Sequence, residues 1–193
     1  MKANFLLLII GITLSSIGCK ENDLARIATG QPFCISIDYS ETLDQMIING
    51  EKALGNSIGL GYYHCKKEYI NAQNFPSPKE LTGKNVSVTA KIFDFHERFS
   101  KEDVIKEMSD SNYRPANLFE LLAVTIKYPE LQASHKIIAL GSSWCDIPGH
   151  CSVPVLTEKL DPRNPSPWLK LESSNYSKML ALFPDAYFLG VQE

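Results

Sequence analysis

Cysteine is the residue type with the widest chemical scope in this 193-residue chain, which has five of them at positions 19, 34, 65, 145 and 151. A cysteine can form a disulfide, bind a metal as a thiolate or carry a covalent lipid. The cellular compartment largely decides which of these occurs. The stretch before Cys19 bears on that compartment.

Residues 1–18 have the organisation of an export signal. Lys2 and the α-amino group form a short basic region, and FLLLIIGITL, from Phe5 to Leu14, forms an apolar one. A helix of about ten residues rises about 15 Å, which is half of a roughly 30 Å hydrocarbon core and too short for a permanent span. Small residues then lead to Cys19, as they do before a cleavage site. The sequence predicts that residues 1–18 are a cleaved signal peptide.

The residues SIGC, from Ser16 to Cys19, resemble the lipobox of bacterial lipoproteins. The resemblance implies that Cys19 carries the lipid and holds the protein on a bacterial membrane, on its periplasmic or surface side. Ser16 stands where the lipobox has an aliphatic residue, and with Gly18 it also fits the small-residue rule of an ordinary signal peptidase. Secretion to the periplasm is therefore the alternative, and both routes cut before Cys19.

Four cysteines remain after Cys19, and an even number in an exported protein predicts disulfides. In WCDIPGHC, Pro148 and Gly149 allow the chain to turn between Cys145 and Cys151, so this pair is predicted to be bonded. Cys34 is then left to pair with Cys65. An alternative use of Cys65, Cys145, Cys151 and one histidine is a zinc site, but the spacing matches no familiar zinc motif, and no metal is predicted.

Catalytic residues are not predicted from this sequence, and neither is a cofactor. No G-x-S-x-G motif is present, and Gly141 before Ser142 is typical of a turn. The alternative is an envelope hydrolase with a site around His96, which lies among charged residues and could act as an acid or base. Tyr62, Tyr63 and Trp168 are candidate binding aromatics, because exposed rings can stack on a sugar or a protein partner.

The composition is that of a folded globular protein, with 44% hydrophobic and 21% charged residues. Loss of Lys2 with the signal peptide leaves a formal charge of −4. No run of basic residues is present, and no basic stripe alternates with aromatic residues, so nucleic acid is not expected as a partner.

Sequence patterns predict α+β secondary structure in a single domain. A helix capped by Ser40, a helix after Ser100 and a helix between Asn117 and Pro129 have capping signals and helical spacing of apolar residues. Residues 55–85 have no sustained period and are predicted to be irregular. Strands are predicted at 33–40, at 86–95 with a bulge or with both faces covered, and in KIIALGSSW, SVPVL, WLKL and YFLGV.

This order predicts a mainly antiparallel sheet with two or three helices and long irregular loops. The predicted organisation is a signal peptide at 1–18, an N-terminal linker at 19–32 after Cys19, and an α+β domain at 33–193.

Two blocks of the chain, NYRPANLFELLAVTIKYPELQ and IIALGSSW, resemble a family of short uncharacterised bacterial proteins with an RPA-x-x-x-ELL helix and an ALGS-x-W strand. That resemblance implies an architecture and no chemistry. The final strand has Tyr187 where the family has arginine. The order of elements is also similar to that of C-type lectin-like domains of bacterial surface proteins, which implies that loops form the binding surface.

Together these features predict an exported, lipid-anchored envelope protein with a non-catalytic binding or structural role. Its partners are expected to be the membrane, through the lipid on Cys19, and another envelope protein or a glycan. Besides the hydrolase around His96, a further alternative is an inhibitor or immunity-like partner of another exported protein.

Overall fold

A computed structural model describes residues 23–54, 69–95, 99–133, 135–148, 150–157, 169–173 and 186–193. Within these ranges the chain forms one mixed α+β domain of four α-helices, a 3-10 turn and eight strands. The predicted fold class is therefore confirmed. In chain order the elements are α1 Asp23–Ala28, β1 Phe33–Asp38, α2 Leu43–Ala53, β2 Asn85–Asp94, α3 Lys101–Asp110, β3 Tyr113–Pro115, α4 Leu118–Lys127, the 3-10 turn Pro129–Ala133, β4 Lys136–Ile138, β5 Trp144–Ile147, β6 His150–Leu156, β7 Leu169–Ser173 and β8 Ala186–Gln192.

The eight strands form a single sheet with the order β1-β2-β8-β4-β6-β5, in which β3 also pairs with β8 and β7 with β6. Every pairing is antiparallel except that of β4 with β8. The last strand of the chain, β8, therefore lies in the middle of the sheet, between β2 on one side and β3 and β4 on the other.

Helices cover both faces of this sheet. On one face, α2 and α4 pack against β1 and β8, and every residue from Leu118 to Thr125 is buried. On the other face, Val104 and Met108 of α3 pack against Phe188 and neighbouring side chains. The domain thus has helix, sheet and helix layers, with a hydrophobic cluster on each side of the sheet.

Strand β2 contributes to both clusters, which explains the change of parity in its sequence. Ile92 belongs to the cluster under α4, and Phe93 belongs to the cluster under α3. Pairing with β1 and then β8 runs from Asn85 to Asp94 without a shift of register. Of the two sequence-based alternatives, covered faces are therefore correct and a bulge is not.

Capping side chains fix where the helices begin. Ser100 with Asp103, and Asn117 with Glu120, form the predicted capping boxes. The predicted cap of α2 is wrong: Ser40 hydrogen bonds to Asp38 in the turn after β1, and Thr42 accepts the hydrogen bond from the helix. Because Ser40 is engaged in this local turn with Asp38, the cap of α2 is Thr42, two residues later.

Part of the predicted linker is ordered against the domain. Residues 23–28 form α1, and Ile27 on this helix is 5% exposed within the cluster that also contains β1. The N–H of Gln31 donates to the carbonyl of Arg26, which closes the helix before β1 begins. The folded unit therefore includes residues ahead of Phe33.

Candidate binding cleft

A cleft of about 580 Å³ opens where the start of α4 meets two loops, and we name it the Arg114 cleft. Its volume lies in the range usual for small-ligand sites. The segment around Pro76, the 141–143 loop after β4 and Arg114 all contribute to its lining. The lining residues are Asn74, Phe75, Pro76, Pro78, Arg114, Pro115, Asn117, Phe119, Gly141, Ser142 and Ser143.

The charge of Arg114 is balanced inside the cleft wall. Its two terminal nitrogens donate to the two carboxylate oxygens of Glu120 at 3.0 and 2.6 Å, and the Glu120 side chain is only 1% exposed. The N–H of Asn117 donates to the same carboxylate at 2.8 Å. These hydrogen bonds raise the pKa of Arg114, so the guanidinium stays charged at every physiological pH. Glu120 is therefore both the helix cap and the counter-ion.

The 141–143 loop is tied directly to the first turn of α4. The N–H of Leu118 donates to the Ser142 hydroxyl at 2.9 Å, and the N–H of Gly141 donates to the carbonyl of Ala116 at 2.8 Å. A β-carbon on Gly141 would lie 2.7 Å from the Ala116 carbonyl oxygen, so only glycine fits there. The single strand predicted for KIIALGSSW is therefore interrupted by this loop. Strand β4 ends at Ile138, and β5 begins at Trp144.

Part of the lining belongs to a turn organised by two asparagines. The Asn71 side chain accepts from the N–H groups of Gln73 and Asn74, and the Asn74 amide donates to the carbonyl of Tyr69. The ring of Tyr69 stacks on Trp144, with 4.1 Å between ring centroids. The two rings are half-buried and are not among the residues that line the cleft.

The predicted Cys145–Cys151 disulfide is present and lies beside that aromatic pair. The two cysteines face each other across the hairpin formed by β5 and β6. Because both sulfurs are bonded to each other, neither can serve as a thiolate ligand, and the zinc alternative loses two of its ligands. Within the described residues, no three histidine, cysteine or acidic side chains cluster as a metal ion would need.

A second cavity, of about 400 Å³, lies beside α1, and we name it the α1 cavity. Ile27, Ile92 and Ile137 form part of its apolar lining. His135, Tyr187 and Asp94 also line it, and the His135 and Tyr187 rings pack together with 4.3 Å between their centroids.

Several predicted site residues lie outside the described residues: Cys19, Tyr62, Tyr63, Cys65, His96 and Trp168. Lipid attachment, the binding aromatics, the catalytic alternative and the Cys34–Cys65 pairing therefore stay predictions. The backbone carbonyl of Cys34 accepts hydrogen bonds from Lys127 and Tyr128, which fasten the edge strand β1 to the end of α4. No helix in the described part of the chain is both long and apolar enough to cross a membrane.

The chain matches no protein-family model, no curated protein and no solved structure. The resemblances to bacterial lipoproteins, to the family with the RPA-x-x-x-ELL helix and to C-type lectin-like domains stay predictions. Arg114, Glu120, Gly141 and Ser142, which carry part of that family resemblance, come together at the Arg114 cleft. Sequence reasoning explained them one at a time, as a cap and a turn, and did not find the cleft. The available signal was an Arg-Pro pair one residue before a capping box and a Gly-Ser pair shortly after a buried strand.

Proposed function

We propose that this is an exported, lipid-anchored protein of the bacterial envelope whose domain binds a saccharide in the Arg114 cleft without changing it chemically. The observation that carries the proposal is the cleft itself, an open cavity of about 580 Å³ whose polar side chains hold one another in place.

Export and anchoring are supported by the sequence before the domain. The basic and apolar regions of residues 1–18 and the SIGC motif at Cys19 are typical of a lipoprotein leader. The Cys145–Cys151 disulfide adds support, because such bonds persist in oxidising compartments.

A binding role is supported by the way the cleft uses its polar groups. Ser142 accepts a hydrogen bond from the Leu118 N–H, and both oxygens of Glu120 accept from Arg114. A serine nucleophile needs an adjacent base. The Glu120 carboxylate instead accepts hydrogen bonds from Arg114 and from the N–H of Asn117 at the start of α4. These hydrogen bonds hold the polar side chains of the cleft in place before any ligand arrives. This favours binding, because little side-chain freedom is then lost when a ligand binds.

A neutral saccharide is the ligand class that fits this surface best. Glu120 balances the charge of Arg114, and the resulting neutral pair is compatible with an uncharged ligand. Asn74, Asn117 and Ser143 place amide and hydroxyl groups along it. Sugar rings offer hydroxyls to such groups, and their C–H faces can pack against the apolar side chains of Pro76 and Pro78 in the same cleft.

The decisive experiment has two parts. Mass spectrometry of the N-terminal peptide from bacterial membranes tests for acyl chains on Cys19. Calorimetry of the purified domain against neutral envelope oligosaccharides then tests binding. Ser143→Tyr places a ring in the cleft and should weaken binding about tenfold or more, equivalent to about 1.4 kcal/mol.

The matched control is Ser109→Tyr, which adds the same ring to an exposed position of α3. It should bind as the parent does. Absence of binding to every saccharide, or equal binding by the two variants, would refute the proposed ligand class and site.

A further inference from the structure

The anchor and the folded domain are joined by a very short stretch. Only residues 20–22 separate Cys19 from Asp23, the first residue of α1. Four residue steps span at most about 14 Å even when fully extended. If acyl chains on Cys19 enter a bilayer, α1 must therefore lie close to the headgroups.

Helix α1 is packed onto the domain, and a short turn joins it to β1. Ile27 is 5% exposed in the core, and the carbonyls of Arg26 and Ile27 receive the N–H groups of Gln31 and Gly30. The side of the domain that carries α1 therefore has to follow the helix. Leu24, on the outer part of α1, is 40% exposed and gives this side an apolar contact for the interface.

The Arg114 cleft lies at the other end of the domain from α1, because several elements run from one to the other. Phe119 at the start of α4 lines the cleft, whereas Leu131, just beyond its end, lines the α1 cavity. The ten residues of α4 alone span about 15 Å. Along the chain from β4, Ile137 lines the α1 cavity and Gly141 lines the cleft.

The central strand β8 also runs from the α1 cavity toward the Arg114 cleft. Tyr187 of β8 lines the α1 cavity, and Gly190 pairs with Pro115, which lines the cleft. One helix, one strand with its following loop and the central strand therefore place the two cavities at opposite ends of the sheet.

We infer that the α1 side of the domain rests on the bilayer surface and that the Arg114 cleft opens away from it, toward the envelope space. This orientation rests on the proposed lipid at Cys19 and deepens the proposed function, because the cleft then faces saccharides that are not in the anchoring membrane. The tether is too short for the domain to turn the cleft toward its own bilayer.

The test compares amide exchange of the full lipidated protein in phosphatidylethanolamine–phosphatidylglycerol nanodiscs with that of the non-lipidated Cys19→Ser protein in the same buffer. Peptides covering residues 23–31 should exchange about tenfold more slowly in the nanodiscs, and peptides covering residues 139–144 should not change. An insertion of roughly a dozen glycines and serines between Cys19 and Asp23, which adds about 20 Å on average, should abolish the protection while the lipid remains.

Leu24→Gln should reduce the protection of residues 23–31. Ile48→Gln, at the 41% exposed apolar position of α2, is the matched control and should not. Lipidated protein without protection of α1, or with protection of the 139–144 peptide instead, would overturn the orientation and leave the anchor intact. Protein without acyl chains on Cys19 would overturn the anchor itself.

Discussion

The Glu120 carboxylate accepts hydrogen bonds from both terminal nitrogens of Arg114. The Glu120 side chain is buried, whereas Arg114 is partly exposed to solvent. Removal of Arg114 would leave the buried Glu120 carboxylate with the hydrogen bond from the Asn117 N–H. We expect Arg114→Met to lower the free energy of unfolding by about 2 to 3 kcal/mol. This is below the roughly 3 to 5 kcal/mol of fully buried pairs, because Arg114 is partly exposed and water screens it.

Chemical denaturation checks this prediction, and a double-mutant cycle sharpens it. Arg114→Met combined with Glu120→Met removes both charges, so it should cost less than the sum of the two single changes. Additive effects would show that the pair does not contribute as a unit.

The contact between Gly141 and Ala116 predicts intolerance to a single methyl group. A β-carbon at Gly141 would be forced against backbone atoms, which cannot move aside as a flexible side chain can. Gly141→Ala should destabilise the domain by about 1 to 3 kcal/mol. Ser143→Ala, two residues along the same loop at an exposed position, should change stability by no more than about 0.5 kcal/mol. Urea unfolding of the two variants gives the comparison, and equal stabilities would contradict the steric argument.

Loss of the Cys145–Cys151 bond should have a moderate effect, because the ring that it closes is short. We expect the Cys145→Ser/Cys151→Ser variant to lose about 2 to 2.5 kcal/mol, measured by unfolding under non-reducing conditions. Mass spectrometry of non-reduced digests should find the two cysteines in one linked peptide pair. Two separate thiol peptides would contradict the pairing.

The start of α3 predicts a pH dependence with a defined sign. Hydrogen bonds from the Ser100 hydroxyl and N–H lower the pKa of Asp103 in the folded protein. The stabilisation is complete above the unfolded-state pKa of about 3.9 and is lost as the pH falls through the lower folded-state pKa. The stability difference between the parent and Asp103→Asn should therefore shrink as the solution is acidified below about pH 4.

The matched control for this prediction is Glu102→Gln, which changes the neighbouring carboxyl in the same turn. Its effect on stability should not follow the pH profile of Asp103→Asn. Parallel profiles would mean that general charge, and not the capping box, causes the dependence.

Local signals in the sequence were sufficient for the presence of α2, α3 and α4, for the main strands and for the Cys145–Cys151 bond, but not for α1, which lies in the segment predicted to be a linker. Ser100 and Asn117 act through backbone groups within three residues, so their roles can be inferred from the sequence alone. The Arg114 cleft could not be predicted in this way, because it depends on contacts between distant segments. Ser142 reaches Leu118 across 24 positions, and Tyr69 stacks on Trp144 from a turn that has no periodic signal.

The central place of β8 has a consequence for how the sheet forms. Residues 186–192 come after all the other strands in the sequence, yet β2, β3 and β4 all need them as a partner. Until they arrive, the sheet has a gap at its middle and the two halves cannot be joined. Closure of the sheet is therefore a late step that joins segments far apart in the sequence, such as Phe93 of β2 with Phe188 of β8.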